Sequence, residues 1–213
     1  MPTSTIIDYM KKYLMKYLGF FLGTFLPVQV LSSPLPPVVP LNQYQAALGF
    51  FRNGEQSGCG LRITGETKDD LWISAMVIAS MKESGALYGI FKIDIKKIIT
   101  KDGKPLIRDG KVMYSSAGKI QEGWIRTESG AQFLADKNAG SPHNDGYMAP
   151  MEFDNAMNLL IAIPQVNFRV GLSKKEGETE EVYEFNERIT QDEADKLSSC
   201  MKNLSDARSG KGL

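Results

Sequence analysis

The chain has 213 residues, with 25 Lys and Arg balanced by 25 Asp and Glu, and a single histidine. That length makes one domain, with at most a small extension, and can bury a real core. The charge is mixed along the length with no basic stripe interleaved with aromatics, which argues against nucleic acid as a partner.

The first segment carries an address rather than a fold. Met10-Lys11-Lys12-Tyr13-Leu14-Met15-Lys16 precedes the apolar run Leu18 to Leu26, and Val30-Leu31-Ser32 follows. A basic start, a short apolar run and a small residue at the cut are the parts of a secretory signal peptide. Residues 1–32 are expected to be removed after Ser32. A start at Met10 gives a well-proportioned signal, whereas a start at Met1 gives a long first region containing Asp8. The alternative, a retained membrane anchor, needs about 20 apolar residues, and Pro27 and Gln29 break the run. No cysteine near the cut offers a lipid anchor, and no later segment approaches spanning length. The expected location is therefore periplasmic or extracellular.

In such a compartment the two cysteines, Cys59 and Cys200, are expected to form a disulfide. Residues 33–42 (Ser-Ser-Pro-Leu-Pro-Pro-Val-Val-Pro-Leu) read as an extended proline-rich leader, and residues 43–205 as a single globular domain. A short apolar stretch from Gln43 to Phe51 ends at the turn signals Asn53-Gly54 and Ser57-Gly58. Cys59, Leu61 and Ile63 then alternate with Gly60, Arg62 and Thr64, the period of a strand. Leu71, Ile73, Ala75, Val77 and Ala79 line one face of a long strand. Trp72, Met76 and Ile78 make its other face apolar as well, so this strand is expected to be central and covered on both sides. Glu83-Ser84-Gly85 turns the chain into Leu87–Lys96, whose alternation predicts a half-buried antiparallel partner.

Asp102-Gly103 and Asp109-Gly110 predict tight hairpin turns, because glycine accepts positive φ. They bracket Leu106-Ile107. Residues 115–150 are the least regular part, with short strands expected at Trp124-Ile125 and Phe133-Leu134. Gly140 to Gly146 reads as a loop. Phe153, Ala156, Met157, Leu160 and Ile161 lie at helical spacing within 152–163, and Pro164 stops the helix. Val166, Phe168, Val170 and Leu172 alternate as a strand, turning through Gly177 to a partner at Val182–Phe185. Thr190 and Glu193 form a capping box for a last helix over 191–205, with Leu197, Cys200, Met201 and Leu204 on its apolar stripe. Residues 206–213 read as a flexible tail. No internal repeat is evident. This order lacks βαβ alternation and predicts an α+β fold, predominantly antiparallel β as a sheet or sandwich, with two short helices.

No residue set announces chemistry. His143 lies between Ser141 and Asp145, but residues two apart in one loop do not assemble a triad. One histidine with no second cluster makes a poor metal site. The carboxylates, among them Asp69, Asp70, Glu152, Asp154 and Glu178, offer pairs as any such chain does. No cofactor motif is present. Trp124, beside Arg126, and Tyr147, flanking the histidine loop, are the aromatic candidates. With His143 and Asp145 they make a candidate binding loop.

These readings point to an exported, non-enzymatic protein-binding or structural accessory protein of the bacterial envelope or a secretion assembly. Its partner would be another envelope or secreted protein, with no nucleic acid and no stable membrane span after signal cleavage. The rival readings are an envelope hydrolase with an unrecognised carboxylate site and a carrier of a small apolar ligand.

Overall fold

The alternation of apolar side chains sets most of the architecture. In the computed structural model, residues 36–134, 146–174 and 180–208 are described; they belong to the unit Pro34–Leu213. The expected signal segment lies outside the described residues.

Four long strands form an antiparallel meander: β1 (Leu41–Arg52), β2 (Glu55–Glu66), β3 (Leu71–Met81) and β4 (Leu87–Ile98). Two small ribbons follow, β5 (Thr100–Lys101) with β6 (Lys104–Pro105) and β7 (Ile107–Arg108) with β8 (Lys111–Val112). Next come β9 (Tyr114–Ser116), β10 (Glu122–Thr127), β11 (Gln132–Leu134) and β12 (Gly146–Met151). Helix α1 (Phe153–Ala162), strands β13 (Phe168–Ser173) and β14 (Glu181–Phe185), and helix α2 (Gln191–Arg208) complete the chain. The large sheet runs β1-β2-β3-β4-β12, and β9 shares the far edge of β4 with β12. The second sheet runs β11-β10-β13-β14. This is the mixed α+β fold, mostly antiparallel, that the sequence predicts.

Strand register aligns the core in rows. Leu61, Val77, Phe91 and Ala149 lie opposite one another across β2, β3, β4 and β12, as do Ile63, Ala75, Ile93 and Tyr147. All eight are buried on the inner face. Glycines set how closely the covering layers approach. A Cβ at Gly89 would stand 2.7 Å from the Cβ of Ala156 on α1, and one at Gly123 would stand 2.6 Å from Ile93 Cδ1. Cys59 on β2 is bonded to Cys200 on α2, with Cα atoms 5.8 Å apart and 141 residues between them in sequence. Both helices and the second sheet therefore cover the same inner face.

The open edges are managed by side chains and prolines. At β14, Val38 bridges Tyr183 in parallel, donating its N–H to Val182 O (2.8 Å) and accepting from Glu184 N (2.9 Å). Pro36, Pro37 and Pro40 lack an N–H, so the bridge stops there. At β1, Gln43 Oε1 accepts from Asn186 N, Gln45 Nε2 donates to Glu187 O, and Ala47 N–H donates to Glu193 Oε2. The expected capping box is thus half-formed. Thr190 Oγ1 accepts from Glu193 N, but the Glu193 carboxylate turns to β1 and to Lys196.

Two expectations are corrected. β3 is central in its sheet, but the described elements cover one of its faces rather than both. The chain also contains a repeat: Lys101-Asp102-Gly103-Lys104 recurs as Arg108-Asp109-Gly110-Lys111. Both Asp-Gly pairs have positive φ, as a two-residue hairpin of the primed type requires. Three backbone bonds join Ile99, Leu106 and Met113, residues set seven apart, into a ring. Leu106 N–H donates to Ile99 O, Met113 N–H to Leu106 O, and Ile99 N–H to Met113 O.

Candidate functional site

The outer face of the large sheet has no covering element among the described residues. It exists because the strands of the meander alternate, and because many outward positions of β1, β3 and β12, with Tyr88 and Ile90 of β4, are apolar too. One row runs Leu48, Gly60, Ile78, Ile90, Pro150. Its neighbour runs Ala46, Arg62, Met76, Lys92, Met148. Phe50 and Tyr88 extend the field through Gly58 and Ser80. Most of these side chains are half-buried, in contrast to the fully buried inner rows, while Arg62 and Pro150 are exposed. Gly60 lets the Phe50 ring lie against the sheet, since a Cβ there would stand 3.2 Å from Phe50 Cε2.

Charge borders this field on one side. Lys92 and Asp94 form an ion pair of 2.7 Å. Lys96 lies over both Trp72 (5.7 Å) and Tyr114 (5.8 Å), whose ring centroids are 5.6 Å apart. Burial of the phenol, and secondarily the carboxylate of Glu66, holds the Tyr114 hydroxyl above its ordinary pKa. It therefore stays neutral beside the lysine.

No family model, curated protein or solved structure matches this chain. The site is accordingly read from its geometry alone.

Of the four residues grouped as a binding loop, the two described ones, Trp124 and Tyr147, lie on different sheets. Trp124 sits on β10, half-buried on the outward side of the second sheet. Its indole lies flat against Gly171, where a Cβ would stand 2.0 Å from Cε2. The indole N–H donates to Glu180 (3.2 Å), and the Arg126 guanidinium stands 5.7 Å from its ring. Tyr147, expected beside a loop, is instead a buried residue of β12 opposite Ile93. The β-strand begins at Gly146, directly after the turn-rich run, and places the phenol in the core. His143 and Asp145 lie outside the described residues. The disulfide cysteines do meet.

Two open grooves flank α2. One, of about 450 Å³, lies between α1 and α2 over Leu160, Ile189 and Met201. The other, of about 500 Å³, lies between β1 and α2 beside Phe51 and Asp195. Among the described residues no group of three or more His, Cys, Asp or Glu could hold a metal ion. Glu193 has its pKa lowered, first by the hydrogen bond from Lys196 and then by the Ala47 N–H, the opposite direction to a general acid. No helix among the described residues is long and apolar enough to cross a membrane.

Sequence reading missed the outer-face field as a unit, although its residues were visible on β3 as Trp72, Met76 and Ile78. What it lacked was the pairing that sets Leu48, Ile90 and Pro150 beside them.

Proposed function

We propose that this chain is an exported, non-enzymatic accessory protein of the bacterial envelope or a secretion assembly. It acts by binding another envelope protein through the outer face of the large sheet. The observation that carries this reading is the apolar row Leu48–Ile78–Ile90–Pro150 with Met76 and Met148 beside it. Five strands at about 4.8 Å spacing and three rows of side chains make a field of roughly 20 Å by 20 Å, on the order of 400 Å². The largest apolar patch on a single chain is commonly of about this size and is often functional. The partner fitting it has an apolar centre and an acidic rim that faces Arg62.

The buried Cys59–Cys200 bond supports an oxidising compartment, and the basic and apolar start of the sequence supports export. The test is capture from envelope extracts with wild type, Ile78→Lys and, as a distant control, Leu134→Lys. Capture of a defined partner that Ile78→Lys loses and Leu134→Lys keeps supports the proposal. Equal capture by all three, or no specific partner across several growth conditions, overturns it. Intact mass of protein recovered from a bacterial periplasm tests the export half. A chain beginning at Ser33 with both thiols blocked until reduction is expected, and retention of residues 1–32 with two free thiols refutes it.

A further inference from the structure

We infer that the two β-ribbons between β4 and β9 form a docking element for an anionic phospholipid surface, separate from the sheet face proposed above. Whole-chain charge is balanced, yet residues 96–119 hold seven Lys and Arg against two acidic residues, Asp102 and Asp109. Every residue from Thr100 to Lys111 is exposed. Among the described residues, no ion pair engages Lys101, Lys104, Arg108 or Lys111.

The pairing within each ribbon is the informative part. Lys101 lies directly opposite Lys104, and Arg108 directly opposite Lys111. Like charges across a ladder destabilise it, and two-residue ribbons have little else to offset that repulsion. The arrangement occurs twice, at identical positions around identical Asp-Gly turns. A ligand with a high density of negative charge converts this repulsion into attraction.

The ribbons are held out as fixed fingers. The ring of backbone bonds through Ile99, Leu106 and Met113 ties their bases together, and β9 anchors the far end to β4. Each finger extends about 10 Å beyond that ring, at roughly 3.4 Å per residue, a reach that matches the headgroup layer.

The apolar residues choose among anionic ligands. Ile107 is 62% exposed and Leu106 39% exposed, and Tyr114 at the base of the fingers is 37% exposed. A lipid interface accepts aliphatic side chains below the phosphates, long basic side chains at them, and tyrosine at the boundary. A nucleic acid backbone satisfies only the cations.

The experiment uses the full chain with two kinds of vesicle, phosphatidylethanolamine containing phosphatidylglycerol, and phosphatidylcholine alone. Co-sedimentation is expected with the anionic vesicles only, and to weaken steeply with added salt. Lys104→Gln with Lys111→Gln should reduce binding by roughly fivefold per charge, about thirtyfold for the pair. Ile107→Ser should weaken vesicle binding while leaving binding to a duplex DNA probe unchanged. Far-UV circular dichroism checks that each variant keeps the wild-type fold, as expected for residues exposed on both faces of a ribbon. Equal binding to both vesicle types, or unaltered binding by the lysine variant, overturns the inference. Tighter binding to duplex DNA than to anionic vesicles also overturns it.

Discussion

The disulfide gives the most quantitative prediction. Cys59 and Cys200 are 141 residues apart in sequence, and closing a loop of that length restricts the unfolded chain by about 5 kcal/mol at 25 °C in the chain-entropy model. Domains are stable by only about 5–15 kcal/mol, so this one bond is a large share of the whole. Both sulfurs are buried where α2 meets β2, and Gln56 places its amide against them. The double variant Cys59→Ala with Cys200→Ala removes the cross-link without leaving a buried hydroxyl. Its melting temperature should fall by about 10–20 °C, given roughly 2–4 °C per kcal/mol for a chain of this size. Circular dichroism melts under oxidising conditions measure this, with urea titration as the second reading. Reduced wild type should melt close to the variant. A variant within about 2 °C of oxidised wild type would refute the reasoning, because the unfolded chain would then gain no freedom when the bond is removed.

Two further predictions follow from close approaches. Gly171→Ala places a Cβ 2.0 Å from the Trp124 indole, so the ring must leave the sheet; in a Trp72→Phe background the emission should shift to the red, with a stability loss of about 1–3 kcal/mol. Unshifted emission at unchanged stability would refute the stacking of Trp124 on Gly171. The lowered pKa of Glu193 makes its contribution complete above its ordinary value of 4.5 and lost as pH falls through the lower folded value. The stability gap between wild type and Glu193→Gln should therefore narrow in acid, as read by urea titration at several pH values, and a gap that stays constant down to pH values well below the carboxylate range would contradict the Ala47–Glu193–Lys196 arrangement.

Local periodicity made much of the fold legible. The alternation in β3 and β4, the Asn53-Gly54 hairpin, the helix at 152–163 and the hairpin of β13 and β14 all depend on residues close together in sequence. Observed boundaries differ by a few residues, as with β13 at Phe168 rather than Val166. What escaped was decided by distant partners. Tyr147 reads as a loop residue because Gly140 to Gly146 is turn-rich, yet β4 offers a free edge to Gly146–Met151, and Ile93 receives the phenol. The ribbons escaped for a different reason. Each Asp-Gly turn was visible, but the matching flanking cations carry meaning only once pairing puts them face to face. The outer-face field likewise is assembled from five strands, none of which contains it.

The contacts along β1 have a consequence for how the chain can be made. Gln43 meets Asn186 and Glu187, Gln45 meets Glu187, and Ala47 meets Glu193, so the groups that cover this edge are synthesised long after the strand itself. The meander of β1 to β4 needs only neighbours to form and can assemble early. Until the final helix is in place, its first strand presents twelve residues of uncovered edge to any other copy nearby. Growing or truncated chains should therefore associate in proportion to their local crowding, while the folded protein closes that edge with Asn186, Glu187 and Glu193.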